Sequence, residues 1–289
     1  MAVALGLAGC GDASVTTARS AGPTGALRSP WAPRPIVATT TAPVAPTTVL
    51  TIAPTTTAAA PKAVPAARSV PAPASPPTTT RPPTPAPLLV TRLDGVDGAT
   101  QVIAVSASGY GVTTATFSAY QETSSGWEQV FGPWMAHVGY NGFAPPGQKR
   151  EGDGRTPSGS FGFDFFFGVL GDPGVSFPYR AVTGPDIVWD DDPSSPLYNQ
   201  WVDTADQDAG ASPEPMDEAP AYDYGAVIAY NTAPVVAGVG SAIFLHVTTG
   251  APTSGCVSLP MPELLSVLRW LQPSALPRII MGTAATITS

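Results

Sequence analysis

Only two cysteines and two histidines occur in the 289-residue chain, and charge is sparse, with 13 basic and 21 acidic side chains. Two histidines and one free thiol, far apart, do not make the four-ligand set of a zinc site. No run downstream of the N-terminus approaches the length of a transmembrane helix. Aromatic residues are missing from the first 100 positions except for Trp31, whereas 17 of the 35 prolines lie before residue 88. A segment so poor in large apolar side chains cannot offset its ordering entropy by burial. Residues 11–87 are therefore expected to form a disordered Pro/Thr/Ala-rich linker, with the folded domain at 88–289, long enough for a sizeable core.

Charge divides at the same place. Residues 11–87 carry six basic groups against Asp12 alone, for +5, and the rest of the chain carries −13. An acidic folded domain lacks the basic footprint of a nucleic-acid binder. The Ala/Pro/Thr segment favours extended polyproline-type conformations, and at about 3.1 Å per residue its upper reach is roughly 200 Å.

From residue 88 onward, short apolar or alternating runs are separated by Gly, Pro, Asn and Asp. Residues 101–106, 113–120, 225–230 and 241–246 read as strands. Pro262–Leu271 has apolar residues at helical spacing, with Pro and Glu in its first turn, and predicts the one convincing helix. Residues 278–281 predict a closing strand. The fold class expected is mainly β, with a short helix just after Cys256. The acid- and proline-rich stretch from Asp190 to Asp223 lacks the alternating oxygen ligands of a calcium loop and reads as a solvated loop.

Cys256 is the only cysteine downstream of residue 10. Cysteine catalysis needs a thiolate, a base to make it, and backbone N–H groups free to face an oxyanion. The segment Ile243-Phe-Leu-His246-Val-Thr-Thr-Gly-Ala-Pro-Thr253-Ser254-Gly255-Cys256-Val-Ser258 offers candidates for all three. His246 ends an apolar run, and Gly250 and Pro252 turn the chain back before the thiol. Gly255 fits a close approach of backbone to a ligand. His137, in Trp134-Met-Ala-His137, reads as a structural or surface histidine.

The stretch from His246 to Cys256 resembles the signature of L,D-transpeptidases, the YkuD-like catalytic domains: a histidine, a loop, then Ser/Thr-His-Gly-Cys and an apolar residue. Residues 149–161, with Asp153-Gly-Arg155-Thr-Pro157-Ser-Gly159-Ser-Phe161, and residues 189–203 resemble further stretches of an actinobacterial-type lipoprotein branch. The loop is shorter than in most members, Ser254 stands for the second histidine, and Ser258 stands for the usual Asn or Arg. The resemblance implies a YkuD-like β-sandwich catalytic domain, no cofactor and no metal. It implies that His246 takes the proton of Cys256, that backbone N–H groups of Gly255 and Cys256 hold the oxyanion, and that Thr253, Ser254 and Ser258 position substrate. The implied reaction is formation of a thioester with a peptidoglycan tetrapeptide stem, with loss of D-alanine. An amine from a neighbouring stem then makes a crosslink, and carbapenem-type inhibitors acylate the same sulfur. The alternatives are an L,D-carboxypeptidase, in which water resolves the thioester, and a catalytically silent peptidoglycan-binding module.

Leu7-Ala8-Gly9-Cys10 ends a short apolar run and resembles the bacterial lipobox, so residues 1–10 read as a signal remnant with Cys10 lipidated. The run is short and no Lys or Arg precedes it, so the true start is expected upstream. This reading places the domain outside the cytoplasmic membrane, anchored to its outer face, and leaves Cys256 without a disulfide partner.

Overall fold

The computed structural model describes residues 86–288. Cys10 and nearly all of the linker assigned to residues 11–87 lie outside the described residues. Thirteen strands and one α-helix make up the described regular structure, with two 3-10 turns at Leu89–Arg92 and Pro273–Ala275.

Ten strands form one sheet. They are β1 (Gln101–Ala107), β2 (Thr114–Thr123), β3 (Gly126–His137), β4 (Gly159–Phe161), β5 (Phe163–Gly168), β6 (Tyr179–Ala181), β10 (Gly225–Ile228), β11 (Phe244–Val247), β12 (Val257–Leu259) and β13 (Arg278–Thr283). Their order is β4-β13-β1-β2-β3-β12-β11-β10-β5-β6. A second sheet holds β7 (Ile187–Asp190), β8 (Gln200–Asp203) and β9 (Glu214–Pro215) in the order β8-β7-β9. The helix α1 spans Met261–Trp270.

Period-two alternation sorts the side chains of the large sheet. One face supplies Ile103, Val105, Phe117, Ala136, Leu245, Val257 and Ile279 to the main core, where Leu264, Val267 and Leu268 of α1 meet them. The curled sheet thus closes around this core. On the opposite face, Phe167, Val227, Phe244 and Cys256 pack against Trp189, Met216 and Tyr222 of the second sheet and its loops. Elsewhere on that outer face, Val102, Ala104 and Ile280 are covered by Val90, Leu93 and Ile287. Both faces of the central strands are buried, which is why β10, β11 and β12 are covered along their whole length.

The architecture is the mainly β one expected, with its helix directly after Cys256. The strand expected at 241–246 begins at Phe244, because Gly240 and Ala242 take positive φ values of 108° and 52° that no strand accepts. The strand expected at 225–230 ends at Ile228, where Ala229 turns to bond Gly162 O at 3.0 Å.

The solvated loop expected from Asp190 to Asp223 is corrected more deeply. Trp189, Asp190, Tyr198, Val202, Met216 and Tyr222 are all buried. Its polar side chains build turns instead of facing water. Asp190 accepts bonds from Ser195 Oγ at 2.5 Å and Gly210 N at 2.9 Å, and Asn199 accepts one from Trp189 Nε1 at 3.0 Å. These longer ties, with Asx-type turns in which Asp190 accepts from Asp192 N at 3.1 Å and Asp192 from Ser194 N at 2.9 Å, let an acid-rich segment fold back as a small sheet.

Leu268 is fully buried where α1 meets the sheet. Leu268→Ala should lower the unfolding free energy by about 2–5 kcal/mol, read from urea denaturation. A loss below about 1 kcal/mol would mean the helix does not seal the core.

Candidate functional site

Cys256 is the residue immediately before β12, and β12 runs parallel to β11 with Leu245 opposite Val257 and His246 opposite Ser258. Two residues before Ser258, Cys256 therefore shares the outer face with His246 and lies diagonally from it. Phe244 is its direct neighbour, and the Phe244 amide donates to Cys256 Sγ at 3.3 Å. The thiol in turn donates to Ala242 O at 3.2 Å.

The turn before the thiol is tightly specified. Thr253 Oγ1 donates to Cys256 O at 2.7 Å and accepts from Gly255 N at 3.1 Å. From the other side, Thr156 Oγ1 donates to the same carbonyl at 3.2 Å. Gly255 has φ +151°, and a Cβ there would stand 3.0 Å from Arg155 O and 3.3 Å from Ile243 Cδ1. Only glycine fits both the conformation and the space.

His246 is held by its own backbone. Its Nδ1 lies 2.9 Å from Val247 O, and since a carbonyl only accepts, the Nδ1 carries the hydrogen and Nε2 keeps the lone pair. The ring meets Tyr222 edge to face at 5.5 Å. The structure puts His246 and Cys256 on the same face of adjacent strands, but no hydrogen bond joins them among the described residues. Residues offset this way on neighbouring strands lie about 7–8 Å apart, with Cβ atoms somewhat closer.

Both groups are closed off from solvent, with 6% of Cys256 and 7% of His246 exposed. Burial pushes the thiol well above its ordinary range, and the Glu214 charge adds to this, while Phe244 N–H and Lys149 oppose it. Burial pushes His246 down to about 4, against a smaller upward pull from the carbonyls of Val247 and Ala221. The resting pair is thus a neutral thiol and a neutral imidazole.

The other residues named from the sequence divide clearly. Thr253 is engaged in the turn, and the N–H of Gly255, expected to face an oxyanion, donates to Thr253 Oγ1. Ser254 is exposed. Ser258 is 1% exposed, and its Oγ has no hydrogen-bond partner. It pairs in register with His137 on β3, whose Nδ1 is likewise buried and unpartnered.

Three participants were not singled out from the sequence. Thr156 belongs to the Thr-Pro stretch quoted for the family, which is the only signal that marked it. Tyr222 and Glu214 lay in the segment read as solvated loop. The Tyr222 hydroxyl donates to the Glu214 carboxylate, and burial raises Glu214 to about 7 against the pull of that bond.

These displaced groups fix the sign of a pH response. The folded chain keeps His246 neutral, whereas the unfolded chain protonates it below about 6.5. Its contribution is present above that value and lost as pH falls toward 4, on the order of 3 kcal/mol. Glu214 acts in reverse, because its raised value favours the folded state at low pH and that gain is lost as pH rises from 4.5 through 7. Wild type minus His246→Gln unfolding free energy should rise by about 3 kcal/mol between pH 4 and 7. Parallel curves for the two proteins would show the ring to be solvated.

No curated protein matches the chain. The sequence model of the L,D-transpeptidase catalytic domain, YkuD, matches residues 126–285. The matched span runs from β3 through β13 and includes α1, His246 and Cys256. β1 and β2 precede it but are hydrogen-bonded into the same sheet, to β13 and β3. With more than half of its length matched, the chain belongs to the YkuD family of L,D-transpeptidase catalytic domains.

Proposed function

We propose that the domain is a peptidoglycan L,D-transpeptidase working through a thioester on Cys256 in cell-wall crosslinking or remodelling. The observation that carries this is the common face of His246 and Cys256 on parallel neighbouring strands, inside a YkuD domain. The Nε2 of His246 takes the thiol proton, and Sγ attacks the carbonyl that precedes the terminal D-alanine of a tetrapeptide stem. D-alanine leaves with a proton returned by the imidazole, and a neighbouring stem's amine resolves the thioester. With Gly255 N–H occupied by Thr253, that amide joins Cys256 N–H at the oxyanion only by exchanging this bond for one to the substrate.

The protein is anchored through lipidated Cys10 to the outer face of the cytoplasmic membrane, and residues 11–87 give the domain its reach into the wall. Ser254, exposed beside the thiol, contacts the stem.

Closure of the thiol and its raised pKa favour a second reading, a peptidoglycan-binding domain without turnover. The two are separable on one preparation. The full chain, incubated with a carbapenem, should gain one adduct mass and should release D-alanine from a defined tetrapeptide. Both signals should vanish in Cys256→Ala, and an adduct that survives the substitution overturns the assignment. Peptidoglycan pull-down by both proteins with no D-alanine released by either supports the silent module.

A further inference from the structure

Charge around Cys256 has the wrong sign for making a thiolate. Apart from burial, the strongest influence raising the thiol is Glu214, and among charged side chains only Lys149 pulls the other way. Lys149 is itself buried and paired with Asp153 at 2.8 Å. A carboxylate whose charge is felt at the thiol hinders acylation, so its position in the fold calls for a different use.

Glu214 is fixed from two sides. Its backbone on β9 stands opposite Trp189 of β7, and its side chain accepts the hydroxyl of Tyr222. Trp189 and Tyr222 both set ring edges against Phe244, at 5.0 and 5.7 Å between centroids, and Phe244 is the residue whose amide holds the sulfur. Tyr222 also touches the imidazole of His246. Glu214 is thus one tyrosine away from His246 and reaches Cys256 through Tyr222 and Phe244. Unlike them the residue is half-buried, while its carboxyl, held by Tyr222, is enclosed enough for burial to raise it.

We propose that Glu214, held by Tyr222, receives the ammonium group of the amine that resolves the acyl-enzyme and takes its first proton. This rests on the transpeptidase reading above. An amine arrives at neutral pH as R–NH3+, which has no lone pair for attack. Transfer of one proton to the Glu214 carboxylate frees that pair, which forms the C–N bond at the thioester carbonyl. The C–S pair leaves on Cys256 Sγ, and the second proton passes from nitrogen through His246 to the sulfur. The new amide keeps its single hydrogen, the thiol is regenerated, and Glu214 returns its proton to solvent. A carboxyl titrating near 7 is suited to this exchange at neutral pH.

Water needs no such receptor, so Glu214 selects aminolysis over hydrolysis. The test measures, on full-length protein supplied with a tetrapeptide donor and a diamino-acid acceptor, the ratio of crosslinked to hydrolysed product per acyl-enzyme formed. In Glu214→Gln that ratio should fall at least about tenfold and the acceptor KM should rise, with partial rescue in Glu214→Asp. Tyr222→Phe, which keeps the ring, should lower the ratio in the same direction. Hydroxylamine, uncharged at neutral pH, should resolve the thioester equally well in wild type and Glu214→Gln. A wild-type ratio in both Glu214 variants overturns the proposal, as does a hydroxylamine defect equal to the amine defect. Absence of any acyl-enzyme mass in the wild type instead overturns the reading beneath it. Should Glu214→Gln fail to fold, the amine-to-hydroxylamine comparison in Tyr222→Phe decides alone: a selective amine defect supports the role, and none overturns it.

Discussion

Parallel pairing of β11 with β12 sets Leu245 beside Val257 and His246 beside Ser258, and the other relations at the site follow from that register. It sends alternate residues to the main core and to the outer face, so the histidine and the cysteine cannot be separated without unpacking Leu245, Val257 and Leu259. A one-residue slip would exchange the two faces entirely. It would bury His246 among leucines and valines and present apolar side chains to the second sheet. The placement of the candidate pair is therefore protected by the hydrophobic effect acting on the core residues of the opposite face.

The same arrangement explains the electrostatics. Because both faces of β11 and β12 are covered, the pair sits in a low-dielectric layer where the charged form of either member is costly. Thiol and imidazole are displaced in opposite directions, each toward its neutral form. An ion pair would partly repay the two penalties by mutual attraction, since opposite charges in such a layer interact strongly. The proton transfer proposed between them consequently depends on geometry more than on either group's separate affinity. Fixing the Nδ1 hydrogen on Val247 O matters for this reason, because it leaves the basic nitrogen on the far side of the ring.

Much of this was legible in the chain. The strands around β1, β2, β10, β11 and β13 and the helix α1 follow from period-two and period-3.6 patterns, and a lone thiol ten residues after a strand-end histidine made Cys256 and His246 the candidate pair, which the fold brings to one face of adjacent strands. What the sequence could not supply is register, so the diagonal offset and the pairing of Ser258 with both His246 and His137 were invisible. The segment from Asp190 to Asp223 misled for a definite reason. Its Asp, Asn and Ser residues carry the composition of a solvated loop, but they spend their polarity on turns such as Ser195 Oγ to Asp190, leaving Trp189, Met216 and Tyr222 to pack on Phe244. Glu214 was hidden with them, since a glutamate between two prolines gives no hint that a tyrosine eight residues on will hold it over the site.

The ten-residue spacing from His246 to Cys256 is itself a structural solution. Parallel neighbours ordinarily require a crossover of a dozen residues or more, commonly a helix. Here β11 ends at Val247 and β12 begins at Val257, so nine residues make the return. Because Val257 pairs with Leu245, the return covers two strand positions, only about 7 Å of backtracking and well within the reach of nine residues. The loop achieves it by borrowing a neighbour: Thr253 N donates to Val138 O at 2.9 Å and Tyr140 N donates to Thr253 O at 2.7 Å, extending the edge of β3. Pinned there, the chain has three residues in which to bring Cys256 onto the sheet. It manages this through the Gly255 conformation and two threonine hydroxyls converging on one carbonyl. The loop thus leaves the backbone at Cys256 little freedom to lose, which is the preorganisation that the proposed covalent catalysis requires.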